Sequence, residues 1–254
     1  MLPSDITFHI FTSMNILIIT GGSNGIGKAI AQKYSSEKYT VFSISRSKTN
    51  NVSYHQLIAD LSNSTEAIKA INSVFLNLNS HVTSSITLIN NAGSLGEMNT
   101  VGNLESEKIQ QTIQLNTTTP LVLANEFIKL TKELHCKKQI INISSGAATN
   151  PYSGWSMYCT SKAALDMSTK AIATEQSEIE NGFKCVAIYP GVVDTNMQTA
   201  IRETSEREFK NVQRFKDLKN NNELYTPKFV ADKIYQLDSS NGLENGDIID
   251  IRKF

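Results

Sequence analysis

Tyr158 and Lys162 stand four residues apart in Tyr158-Cys159-Thr160-Ser161-Lys162, and Ser145 lies thirteen residues before the tyrosine. On a helix an i, i+4 pair shares one face. An ammonium placed there favours the phenolate and draws a phenol down from its ordinary value of about 10. A phenol tuned in this way donates or accepts a proton near neutral pH. Tyr-x-x-x-Lys is a short pattern, so its weight comes from its surroundings. Here a glycine-rich turn at residues 20–27, Asn90-Asn91-Ala92-Gly93 and Pro190-Gly191 stand along the same chain.

Those residues need elements to position them. Residues 15–20 form a short continuous apolar run, as expected for a strand buried on both faces. Further strands are predicted at 40–45, 54–59, 85–89, 138–143, 184–188 and 247–251. Helices are predicted at 26–36, 64–77, 105–133 and 157–181. Thr226-Pro227 reads as a helix start, an N-cap followed by proline at the first helical position. Strands alternating with helices imply a doubly wound parallel sheet with helices on both faces. In such sheets ligands bind beyond the carboxyl ends of the strands, where every motif above falls. The polar segment 194–222 is long for a connection, and short helices or a lid over the site are expected there.

Thr20-Gly21-Gly22-Ser23-Asn24-Gly25-Ile26-Gly27 joins the first strand to a helix. Gly21, Gly25 and Gly27 permit positive φ and close backbone approach. The helix N-terminus offers free N–H groups to a pyrophosphate, so Ser23, Asn24 and Ile26 become cofactor candidates with the glycines. After the second strand the chain reads Ile44-Ser45-Arg46-Ser47. An acid at this place holds a ribose 2′-hydroxyl, whereas arginine accommodates a 2′-phosphate, which predicts NADP(H). The other reading of Arg46 is a solvated surface charge. Asp60 and Leu61 are placed to meet adenine, and Asn90, Ala92 and Gly93 to line a ribose. Asn90 is also a candidate structural amide.

The chain has 254 residues, 40% of them hydrophobic, and no formal net charge. That length suits one domain, taken here as residues 14–254. Residues 1–13 read as a disordered extension or a start-site artefact, with Met14 a plausible start. No basic stripe interleaved with aromatics points to nucleic acid, and no apolar run reaches the length of a membrane helix. Cys136, Cys159 and Cys185 follow no pairing or metal-ligand spacing, which predicts no metal and fits a reducing cytoplasm. Cys159 is expected to pack rather than react.

Taken together, the motifs make the chain resemble the short-chain dehydrogenase/reductase family, from about residue 16 to the C-terminus. They are Thr-Gly-x-x-x-Gly-x-Gly, Asn-Asn-Ala-Gly, Ser145 with Tyr158-x-x-x-Lys162, and Pro-Gly, in that order. The resemblance implies a single-domain Rossmann-type fold and an oxidoreductase. It implies Tyr158 as proton donor to a nascent alkoxide, and Lys162 as the group that tunes the tyrosine and holds the nicotinamide ribose. Ser145 would polarise the substrate carbonyl. Asn116, in Leu115-Asn116-Thr117, would hold a water linking Lys162 to solvent. Pro190, Val193 and Thr195 would close on the nicotinamide. Homo-oligomers, a dimer or tetramer, would form through residues 105–133 and 157–181, unless those faces are covered within the monomer.

Within the family, 153–158, 190–198, 201–203, 215–219 and 226–227 resemble the benzil reductases that form (S)-benzoin and the sepiapterin reductases. Trp155, Met157 and Met197 are then candidate walls for an aromatic substrate, Trp155 alternatively a core or subunit contact. The expected activity is NADPH-dependent reduction of a small-molecule ketone, a vicinal diketone such as benzil. A pteridine or β-ketoacyl substrate is the alternative within the family, and a non-catalytic dinucleotide sensor the alternative outside it.

Overall fold

The computed structural model describes residues 14–76, 78, 83–240 and 242–254. Residues 1–13, and Asn77 at the end of the expected second helix, lie outside them. Among the described residues seven strands form one sheet. They are β1 (Met14–Thr20), β2 (Thr40–Ser45), β3 (His55–Ile58), β4 (Thr83–Asn90), β5 (Lys137–Ile143), β6 (Lys184–Tyr189) and β7 (Ile248–Asp250). Their order is β3-β2-β1-β4-β5-β6-β7 and every pairing is parallel. The order reverses between β1 and β4, which makes their carboxyl ends the switch point of the sheet.

Strand β1 shows why the run had to be apolar throughout. Ile16, Leu17, Ile18 and Ile19 expose no surface. Successive side chains point to opposite faces. Leu17 and Ile19 pack on Ile30 and Tyr34 of α1 (Gly25–Ser36) and on Val230 and Ile234 of α8 (Pro227–Ser239). Ile16 and Ile18 join the opposite layer. It holds Ile71 of α2 (Ser64–Phe75), Phe127 of α4 (Thr119–Thr131) and Ile172 of α5 (Ser156–Ser177). Thr226 caps α8 as expected, accepting from Phe229 N at 3.1 Å with Pro227 in the first turn.

The single helix expected at 105–133 is interrupted. It consists of α3 (Ser106–Ile113), a π turn at Gln114–Thr118, and α4. Pro120 explains the break, since it has no N–H for the carbonyl of Asn116 four residues back. Segment 194–222 holds two short helices, α6 (Asn196–Glu203) and α7 (Val212–Asn220). Asp194 ties them to the end of β6, pairing with Lys219 at 2.6 Å and with Arg202 at 3.9 Å.

Three buried polar side chains lock α5 onto the sheet. Asn90 Nδ2 donates to Asn142 Oδ1 at 2.9 Å, and Asn142 Nδ2 donates to Thr169 Oγ1 at 2.9 Å. Asn142→Ala leaves the Asn90 amide without that acceptor. We expect it to lower unfolding free energy by about 2 kcal/mol in urea titration. An unchanged midpoint and slope would show that the chain of amides does not anchor the helix.

Candidate active site

The carboxyl ends of β1, β2, β4, β5 and β6 open into a cleft of about 930 Å³. One half is built from the glycine turn. Gly21 and Gly25 have φ of +71° and +52°, a region that strains other residues. A Cβ on Gly27 would sit 2.3 Å from Gly21 O and 2.4 Å from Asn91 Nδ2, so the turn closes only with glycine there. Thr20 Oγ1 accepts from Asn91 N at 2.9 Å and from Ala92 N at 3.0 Å, fastening the β4 end to the turn. Helix α1 starts from extended Asn24 with no side-chain cap. Its first N–H groups are therefore left for a ligand. This cradle fits the pyrophosphate of a nicotinamide dinucleotide.

Around the cradle the cleft is lined by Ser23, Asn24, Ile26, Arg46, Asp60, Leu61, Ala92, Gly93, Pro190, Val193 and Thr195, as the sequence predicts. Asn90 is the exception. It is buried between β5 and α4 and faces the sheet, while its neighbour Asn91 lines the cleft. Strand alternation is the cause, since consecutive residues at a strand end face different ways. Hydrogen bonds from Ser62 hold the Asp60 carboxyl below its usual range, with the Arg46 guanidinium adding to the effect.

The other half carries Ser145, Tyr158 and Lys162, all lining the cleft. Burial pushes the Tyr158 hydroxyl up, and the Ser145 hydroxyl beside it acts in the opposite direction. Lys162 Nζ lies 5.9 Å from the Tyr158 ring centre and donates to Ile143 O at 2.8 Å. The Ser145 hydroxyl is thus one group that opposes the effect of burial on the phenol. Burial pushes the Lys162 ammonium down to about 8, with the Asp166 carboxylate opposing it.

Asn116 lies in the π turn, 1% exposed, behind the cleft rather than in its wall. Its amide is fully committed. Oδ1 accepts from Ser94 N at 2.9 Å, and Nδ2 donates to Ser94 O at 2.7 Å and Ser161 Oγ at 3.0 Å. Both Asn116 Oδ1 and Lys162 Nζ nevertheless lie within 4 Å of where a Gly93 side chain would stand.

Beyond Tyr158 the wall is aromatic. Trp155 is stacked on Phe209 at 4.4 Å and meets Tyr158, Tyr152 and Phe215 at 5.6, 5.2 and 5.4 Å. It is therefore both a cluster centre and a wall residue. Met197 lies on the lip, 36% exposed. Met157 does not join the wall, because it is buried with its sulfur against Gly96. Sequence reasoning missed Tyr152, Gln198 and Phe215 as lining residues. Phe215 lay in the segment expected to form short helices or a lid but was not singled out as a wall residue, and nothing in the spacing marked the other two. Trp155 Nε1 and Gln198 Nε2 are buried donors with no partner among the described residues.

Comparisons with known proteins agree with this geometry. The family model described as short chain dehydrogenase matches residues 15–206. A benzil reductase ((S)-benzoin forming) of Bacillus cereus is 42% identical over 94% of this chain and 99% of its own. One from Bacillus subtilis (strain 168) is 39% identical over 95% and 100%. A sepiapterin reductase of Xenopus laevis is 26% identical over 92% and 94%. Among solved structures, the KRED1-Pglu enzyme superposes with a TM-score of 0.81 at 25% identity, covering 93% of this chain and 100% of that one. ElxO with NADP bound superposes at 0.75 and 25% identity, covering 94% and 97%.

Gly27→Ala tests the cradle. It should weaken NADPH binding at least about tenfold by fluorescence titration, since the added methyl meets the Gly21 backbone as well as the Asn91 amide that fastens it. Wild-type affinity in this variant would mean that the dinucleotide does not lie in the turn.

Proposed function

The chain belongs to the short-chain dehydrogenase family, and from that premise we propose that it is an NADPH-dependent carbonyl reductase whose substrate is a vicinal diketone such as benzil. The observation that carries this reading is the meeting of Ser145, Tyr158 and Lys162 at the junction between a dinucleotide cradle and an aromatic wall. The two benzil reductases, similar over nearly their whole length, support it.

The glycine turn and the α1 N-terminus take the pyrophosphate, and Arg46 takes a 2′-phosphate. Asp60 and Leu61 meet adenine, and Ala92 and Gly93 flank its ribose. Lys162 holds the nicotinamide ribose hydroxyls, while Pro190, Val193 and Thr195 position the carboxamide. Bound NADPH supplies the hydride that reaches the carbonyl carbon. Ser145 Oγ donates to the carbonyl oxygen and steadies the charge that develops there. Tyr158 Oη gives that oxygen its proton, completing the alcohol. The raised Tyr158 hydroxyl suits this direction, because the phenol stays protonated and ready to donate.

Trp155 offers its face to an aryl group, with Met197 closing from the lip. The enzyme works as one domain over residues 14–254, and as a homo-oligomer through the outer faces of α4 and α5. Leu121 and Met167 are exposed there at 49% and 66%. No helix among the described residues is long and apolar enough to cross a membrane.

Initial rates of NADPH oxidation with benzil test the reading. Tyr158→Phe should lower kcat by about 10²–10⁴-fold while NADPH affinity stays near wild type. No rate with wild-type protein on benzil or other diketones would overturn the substrate assignment. Arg46→Asp should move the preference towards NADH, and an unmoved preference would remove Arg46 as the selector.

A further inference from the structure

Lys162 is placed where an ammonium is costly. Only 5% of its surface is exposed, and its hydrogen bond goes to the neutral carbonyl of Ile143. A charge taken from water in this way persists only beside a compensating one. The charged and titratable groups that face it can be named. Tyr158 lies one turn before it on α5 and Asp166 one turn after. From the strands packed on that helix come Ser144, just beyond β5, and Tyr189, the last residue of β6. Lys170 influences Asp166 from further along α5, Asp250 of β7 influences Tyr189, and Cys159 influences Tyr158. Of these, Asp166 is the carboxylate that acts on Lys162.

Asp166 is itself 7% exposed. Tyr189 Oη donates to its Oδ2. Burial pushes the Asp166 carboxyl up, and the Ser144 and Tyr189 hydroxyls beside it act in the opposite direction. Among the described residues the carboxyl is met by these two hydroxyls and by no ammonium or guanidinium in hydrogen-bond contact, so the acid's charge is left to act on Lys162 one turn away.

We propose that Asp166, held by Tyr189, is a positioning residue for the reaction, its buried carboxylate being the counter-charge that keeps Lys162 an ammonium in the floor of the cleft. The proposal rests on the reductase reading for what Lys162 does, but it concerns the charge of Lys162, and one of its two readouts, NADPH affinity, needs no turnover.

The experiment measures NADPH affinity by fluorescence titration, and kcat/KM for NADPH, between pH 6 and 9 for wild type and Asp166→Asn. In wild type both should fall as pH rises through about 8, the value at which Lys162 loses its proton. In Asp166→Asn that fall should begin about one unit lower. Binding would then be about fivefold weaker than wild type at pH 8, approaching about tenfold at pH 9, and nearly equal at pH 6. Titration of the 2′-phosphate is common to both proteins and cancels in the comparison. A variant weakened equally at every pH has lost structure rather than charge, and that result overturns the proposal. So do superimposable profiles.

Tyr189→Phe guards against an Asp166 variant that does not fold. It removes the hydrogen bond and keeps the charge, so its basic limb should stay in place or move up. A downward shift overturns the charge-based role. If the affinity profiles separate as expected while no diketone is reduced, the carbonyl-reductase reading fails and the role of Asp166 stands.

Discussion

The hydrogen bonds running from Asn90 through Asn142 to Thr169 cross β4, β5 and α5 inside the protein. They hold the helix that carries Tyr158 and Lys162 at a fixed height over the sheet. An apolar contact would permit sliding, because dispersion is non-directional and many registers cost nearly the same. Buried amides do not permit it, since any slip leaves donors without acceptors. The reacting group inherits that rigidity, although none of these three side chains reaches the cleft.

Around this lock, two constraints converge on the same edge. Parallel pairing brings the ends of β1, β4, β5 and β6 together, and the switch between β1 and β4 keeps crossover helices from covering the gap. Charge and ring chemistry then divide the cleft. Glycines, exposed N–H groups and Arg46 make one end suited to phosphate. Trp155, Phe209 and Phe215 make the other suited to flat apolar groups. Tyr158 touches Trp155 edge-on, so its phenol stands at the boundary.

Much of this was legible in the chain. The apolar run of β1, the glycine turn and Thr226-Pro227 each carry a local physical signature, and each element appears where its signature lies. The site residues that were legible are those fixed by local spacing, such as Ser145 with Tyr158 and Lys162. What was not legible depends on direction or distance. Asn90 and Asn91 differ only in which way a strand end points, and Met157 differs from Trp155 only in helix phase. The π turn needed the coupling of Pro120 to the carbonyl of Asn116, which a helical-period reading of 105–133 passes over. Tyr189 and Asp166 are 23 residues apart in sequence, and no motif links them.

The uncapped start of α1 has a consequence for the folded chain as a whole. Among the described residues two α-helices close their starts with their own side chains, α2 through Asn63 and α8 through Thr226. Helix α1 does not, and its first donors face the cleft. A ligand that completes them binds the native state and has no counterpart in the unfolded one. Part of the protein's resistance to heat and proteolysis is therefore set by the ambient concentration of that ligand, growing with the logarithm of its ratio to Kd.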